Sequence, residues 1–151
     1  MPIDESHDYA VWTAEWRGRM SADVSGRGHT VRVDEPPEFG GEDTGPMPTE
    51  MIVIALASCM CIAIAWAAGK RRVRLDDVKV HVRPHRAVGE PRHGAYDLWV
   101  ESSTPEGELD PVVELAARYC WVTNTIRNPP EIRYHIGAPE EGTTTNAERG
   151  V

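Results

Sequence analysis

Residues 9–16 alternate with a period of two, placing Ala10, Trp12, Ala14 and Trp16 on one face and Tyr9, Val11, Thr13 and Glu15 on the other, which predicts a strand. Gly26 and Gly28 mark a turn, and residues 29–33, His-Thr-Val-Arg-Val, read as a further strand, so the opening third predicts an antiparallel meander. Residues 34–48 change character. They are rich in Pro and Gly and hold Asp34, Glu35, Glu38, Glu42 and Asp43, which predicts a solvated loop whose length invites mobility. The loop ends where Pro48 can open a helix.

From Met51 to Ala68 there is no charged residue, so this helix is apolar on every side and has to be enclosed rather than laid on a surface. Eighteen such residues followed by Lys70, Arg71, Arg72 and Arg74 also meet the length and flank criteria of a membrane span. Six alanines, Ser58 and two cysteines within the run, and strand-like amphipathic sequence on both sides, favour a water-soluble protein. The expectation is a central helix wrapped by sheet, with a second subunit closing over it. Residues 77–87 and 95–103 then read as a hairpin around a turn at 88–94. Asp110 is expected to cap a second helix, with Pro111 in its first position and Val112, Val113, Leu115, Ala116 and Tyr119 on its apolar face. Pro129 and Pro130 terminate the segment after Cys120, residues 131–136 read as a last strand, and the sequence from Gly137 onward has no apolar period. The reading is an α+β fold, one domain over residues 1–136 with a disordered tail at 137–151.

A chain of 151 residues can bury roughly 70% of its unfolded surface and needs no covalent staples. Its net charge of -8 argues against nucleic acid as a partner, and the basic run at 70–74 is too short to reverse that. The odd cysteine count of 3, and an opening segment without an apolar signal run, point to a reducing cytoplasm in which any disulfide is transient.

Cys59 lies within the apolar helix and Cys120 closes the second one, a pairing that suggests a thiol redox site. Cys61 is two residues on from Cys59, roughly 200° round the helix, so the two cannot meet a common partner. The alternative is that all three are small packing residues. A metal site is disfavoured, because Cys59-Met60-Cys61 offers too few ligands and residues 81–85, with His81 and His85 around Pro84, lie in a strand pattern.

The run Gly40-Gly41-Glu42-Asp43-Thr44-Gly45-Pro46-Met47-Pro48-Thr49-Glu50-Met51, leading through Ala57-Ser58-Cys59, resembles the first cysteine motif of the OsmC/Ohr family. Tyr119-Cys120-Trp121-Val122-Thr123-Asn124-Thr125-Ile126 resembles its second. The resemblance spans Trp12 to Ile136 and implies an intertwined α+β homodimer with cysteine sites at the subunit interface and no cofactor. It also implies a chemistry: Cys59 attacks a hydrophobic organic hydroperoxide and becomes a sulfenic acid. Cys120 then resolves it as a disulfide, which a small or protein-bound dithiol re-reduces. Peroxidase members carry a glutamate after the helix-opening proline, where this chain has Thr49, with Glu50 one step on.

Such chemistry needs a cation. A thiol of pKa about 8.5 is only a few per cent ionised at neutral pH, and burial lowers that fraction. A guanidinium near 4 Å contributes on the order of 4 kcal/mol at an effective dielectric of 20. The family pattern places that arginine in some members in the first strand region, where this chain has Arg17 and Arg19. Arg17 is the first candidate, and a pair of solvated charges flanking a strand is the alternative. A binding or stress-related module that has lost the peroxidase activity is the rival to the enzyme.

Overall fold

Strands β1 (Thr13–Trp16), β2 (Ser21–Gly26) and β3 (His29–Asp34) form an antiparallel meander in which Trp16 pairs with Ala22 and Ser25 with Thr30. The computed structural model describes residues 9–139, so the expected tail lies largely outside the described residues. Two units emerge, one holding residues 9–48 and 133–139, the other residues 49–132. β1 begins at Thr13 rather than at Tyr9, because its partner β2 ends at Gly26 and the chain turns through the positive φ of Arg27 and Gly28. Trp12 instead lies against Gly26, where any Cβ would strike its indole ring.

The acidic segment after β3 is solvated over most of its length, with Glu38, Glu42 and Asp43 exposed, but it is built around one buried carboxylate. Asp34 is 1% exposed, and its Oδ2 accepts the Glu42 and Thr44 N–H groups at 3.2 and 3.1 Å and the Thr44 hydroxyl at 2.7 Å. A 3₁₀ turn at Pro37–Phe39 tightens the loop further. Gly41 packs so closely on the Glu35 carbonyl that no Cβ fits there. Composition predicted the solvation; what it did not reveal is the single buried acceptor that satisfies three donors.

In the second unit, helix α1 (Pro48–Arg71) is followed by the hairpin β4 (Lys79–Arg86) and β5 (His93–Glu101), then α2 (Glu106–Tyr119) and α3 (Trp121–Arg127). Helix α1 stops in a Schellman arrangement: Arg72 takes φ 56°, its N–H bonds the Gly69 carbonyl at 3.2 Å, and the Val73 N–H bonds the Ala68 carbonyl at 2.9 Å. Met60, Ile64, Ala67 and Ala68 of α1 pack against Val112, Ala116 and Cys120, and Val80 and Val100 of the hairpin cover them. The other side of α1 is open. Ile54, Ser58, Ile62 and Ala65 form an exposed stripe, with Ile62 70% exposed, so one chain alone does not enclose this helix. By length and hydropathy α1 is able to cross a membrane.

Two expectations are corrected. Helix α2 starts at Glu106, with Pro105 as N-cap and Pro111 inside the helix, not at Asp110. The Pro105 carbonyl accepts the Glu108 and Leu109 N–H groups, Glu106 and Glu108 favour the helix N-terminus, and burial of Leu109 with Val112 and Ala116 secures the added turn. Pro111 costs one hydrogen bond, to the carbonyl of Gly107. The alternating segment 131–136 is not a strand: it has the period but no pairing neighbour among the described residues, and Ile132, Tyr134 and Ile136 are exposed.

The Asp77 carboxylate joins the two ends of the hairpin by accepting the Ser103 N–H at 2.7 Å and the Ser103 hydroxyl at 2.6 Å. The Ser103 hydroxyl and N–H hold its pKa below the ordinary value, and the Thr44 hydroxyl and N–H do the same for Asp34. A depressed folded pKa means stabilisation that is complete above the unfolded value of about 3.9 and is lost as pH falls through the folded one. Melting temperature should therefore fall between pH 5 and pH 3, and Asp77→Asn should flatten that fall; an unchanged slope would refute this role for Asp77.

Candidate functional site

Cys59 is placed midway along α1 by a helix that has no internal break. Cys120 sits at the joint between two helices, closing α2 and capping α3 with an extended backbone, φ -71° and ψ 107°. That bend returns the first turn of α3 over the sulfur, and the Thr123 hydroxyl donates to Cys120 Sγ at 3.1 Å. The two thiols are neighbours: both are free, and Cys59 packs on the cluster that contains Cys120. Cys61 is half-buried and does not join that cluster, as the helical spacing required.

The two sulfurs differ in environment. Cys120 is 0% exposed, whereas Cys59 is half-buried. Burial pushes the Cys59 thiol up; the Val122 N–H opposes this and the neighbouring Cys120 adds to it, leaving the thiol above its ordinary value. Burial also opposes ionisation of Cys120, but the Thr123 hydroxyl and N–H, the Cys59 thiol and the Val122 N–H together bring it below an ordinary thiol. The two thiols are thus shifted in opposite directions, Cys59 up and Cys120 down.

Beside the pair lies a cavity of about 370 Å³ lined by Leu56, Met60, Leu98, Ala117 and Ile126, with Tyr96, Thr123 and Arg127 as its polar members. Thr123 belongs to both cavity and sulfur site. Its position three residues after Cys120 on a short helix is a signal the sequence carried, since i+3 side chains return to the capping residue. Arg127, one turn further, and Tyr96, on the hairpin, carried no such signal; they reach the cavity only through the packing of α3 and β5.

Arg17 lies in the other unit, directly after β1, where its guanidinium pairs with Glu15 at 3.0 Å and Asp23 at 3.1 Å. Arg19 lies in the β1–β2 turn at 3.6 Å from Glu42. Thr49 is in the first turn of α1. Among the described residues no cluster of three or more His, Cys, Asp or Glu side chains is arranged to hold a metal ion.

Antiparallel sheets, a long apolar helix and a cysteine contact between that helix and a second helical joint define a thiol-bearing α+β protein. The model of the OsmC-like protein family matches residues 40–135, and the chain belongs to that family. Similar solved structures include an organic hydroperoxide resistance protein OsmC from Legionella pneumophila, 21% identical with a TM-score of 0.61, covering 79% of this chain and 89% of that one. A putative organic hydroperoxide resistance protein from Vibrio cholerae, with captopril bound in one of its active sites, is 20% identical with a TM-score of 0.66, covering 83% and 90%. The organic hydroperoxide resistance protein OhrB of Bacillus subtilis is 16% identical with a TM-score of 0.60, covering 80% and 92%. No curated protein matches the sequence significantly. At these identities the structures establish a common fold.

Proposed function

We propose that the protein is a thiol-dependent peroxidase that reduces hydrophobic organic hydroperoxides in oxidative stress defence, with Cys59 as nucleophile and Cys120 as resolving residue. The observation that carries this reading is the packing of two free thiols, Cys59 and Cys120, in one cluster beside an apolar cavity. The Cys59 thiolate attacks the terminal oxygen of the hydroperoxide; the O–O bond breaks, the alkoxide takes a proton and leaves as an alcohol, and Cys59 becomes a sulfenic acid. The Cys120 thiolate then attacks that sulfur and expels hydroxide, which leaves as water once protonated. A dithiol returns the resulting disulfide to two thiols. Cavity walls of Leu56, Met60, Leu98 and Ile126 favour an alkyl or lipid peroxide over hydrogen peroxide.

The same reading makes the protein a cytoplasmic homodimer, in which the open stripe of Ile54, Ile62 and Ala65 is covered by a second copy. Arg17 is the candidate cation for Cys59, recruited from its pairing with Glu15 and Asp23. A non-enzymatic module is the second reading, favoured by one observation: Cys59 is half-buried in an apolar cluster, which pushes its thiol up, while Arg17 is paired with Glu15 and Asp23.

Mixing the reduced protein with cumene hydroperoxide and following loss of free thiols separates the two readings. We expect consumption faster than that by free cysteine. Holding an arginine without a glutamate to fix it costs up to about 2 kcal/mol of rotamer freedom, so Thr49→Glu should raise the rate roughly threefold to tenfold if Arg17 is the cation, and Arg17→Ala should lower it. A wild type no faster than free cysteine, with both substitutions inert, leaves the binding module.

A further inference from the structure

We propose that Thr123 is the positioning residue that makes Cys120 the leaving sulfur when the Cys59–Cys120 disulfide is re-reduced, so that the reductant is captured on Cys59; this rests on the reading of the two cysteines as a redox pair. Two independent features support it. The Thr123 hydroxyl points at Cys120 Sγ from 3.1 Å, ready to hold a negative charge on that sulfur. Access is also unequal, because Cys120 is 0% exposed and Cys59 is half-buried, so Cys59 is the more approachable half of the bridge.

In thiol–disulfide exchange the better-stabilised thiolate leaves faster, and the sulfur attacked is the one that can be reached. Both criteria select the same direction. A thiolate of the dithiol attacks Cys59 Sγ, the S–S bond breaks, and its electron pair goes to Cys120 Sγ, where the Thr123 O–H receives it. The second thiol of the reductant, losing its proton, then attacks the mixed disulfide. Cys59 departs as a thiolate and takes up a proton, the dithiol leaves as a disulfide, and the protein regains two reduced cysteines. The direction of the Cys120 pKa, lowered by Thr123 in spite of burial, agrees with this order.

The test does not depend on hydroperoxide turnover, because diamide forms the disulfide directly. The oxidised full chain is treated with glutathione, quenched in acid and peptide-mapped, and its reduction by dithiothreitol is timed. We expect the glutathione adduct on Cys59 and none on Cys120. Thr123→Val should slow dithiothreitol reduction roughly tenfold, in line with a poorer leaving group, and Thr123→Ser should restore the rate. In the Cys59→Ser, Cys61→Ser background the thiolate absorbance of Cys120 should titrate at higher pH with Thr123→Val and not with Thr123→Ser. An adduct on Cys120, failure of diamide to link Cys59 to Cys120, or a rate and titration insensitive to Thr123→Val overturns the proposal. A protein that shows the expected exchange but consumes no hydroperoxide overturns the peroxidase reading and leaves this inference standing.

Discussion

Replacing Cys59 by serine should reduce hydroperoxide consumption to nearly the rate of protein-free solution, because the other thiol of the proposed cycle, Cys120, is 0% exposed and out of reach of a peroxide. Cys120→Ser should behave differently. It should consume about one equivalent per chain and stop, leaving a sulfenic acid on Cys59 that dimedone traps, since the attack survives and only its resolution is lost. Cys61→Ser should remain near wild type, for Cys61 points roughly 200° away from Cys59 and is absent from the cluster that joins α1 to Cys120. Peptide mapping after one equivalent of hydroperoxide should find Cys59 linked to Cys120 and Cys61 free. A bridge containing Cys61, or loss of activity in Cys61→Ser, would show that the wrong thiol has been assigned.

Opposite faces of α1 should give opposite phenotypes. Ile64 is 0% exposed at the centre of the helix cluster, and truncating it to alanine should cost about 2–5 kcal/mol. For a chain of this size that corresponds to a melting temperature lower by roughly 5–20 °C, with the molecular mass in solution unchanged. Ile62, two residues earlier and 70% exposed within a single chain, should show the reverse: Ile62→Glu buries a charge in the proposed subunit interface and should halve the mass seen by light scattering. A wild type that runs at the mass of one chain at micromolar concentration would remove the dimer, and with it the reason for the open stripe.

The thiol environments change how the cysteine pair is understood. A nucleophile whose thiol is pushed up and a resolver whose thiol is lowered form a pair suited to resolution and re-reduction more than to attack. On this arrangement attack on the peroxide is limited by the small ionised fraction of Cys59, and whatever cation approaches it controls the rate. The expected gain from Thr49→Glu and the loss from Arg17→Ala have the same origin.

Much of the fold was legible in the residues. The charge-free run 51–68 had to be a helix, the Gly-turn-strand rhythm before it had to be a meander, and the hairpin at 77–103 was marked by alternation on both sides of a Gly and Pro turn, because these patterns depend on local periodicity. The two cysteine motifs in their order carried the family. Three features depended on tertiary contacts. Segment 131–136 has the alternation of a strand, but a strand exists only where a neighbour offers hydrogen bonds. Helix α2 extends a full turn before Pro111 because burial of Leu109 beside Val112 and Ala116 outweighs one missing N–H bond. The loop after β3 is ordered because Asp34 finds three donors 8 to 10 residues away. Residue order and helical spacing were enough to say which thiols exist, which helix faces they occupy and that Cys61 cannot share a partner with Cys59. That Cys120 is fully buried while Cys59 stays partly open emerged only from the folded chain, since access depends on groups brought together from distant parts of the sequence.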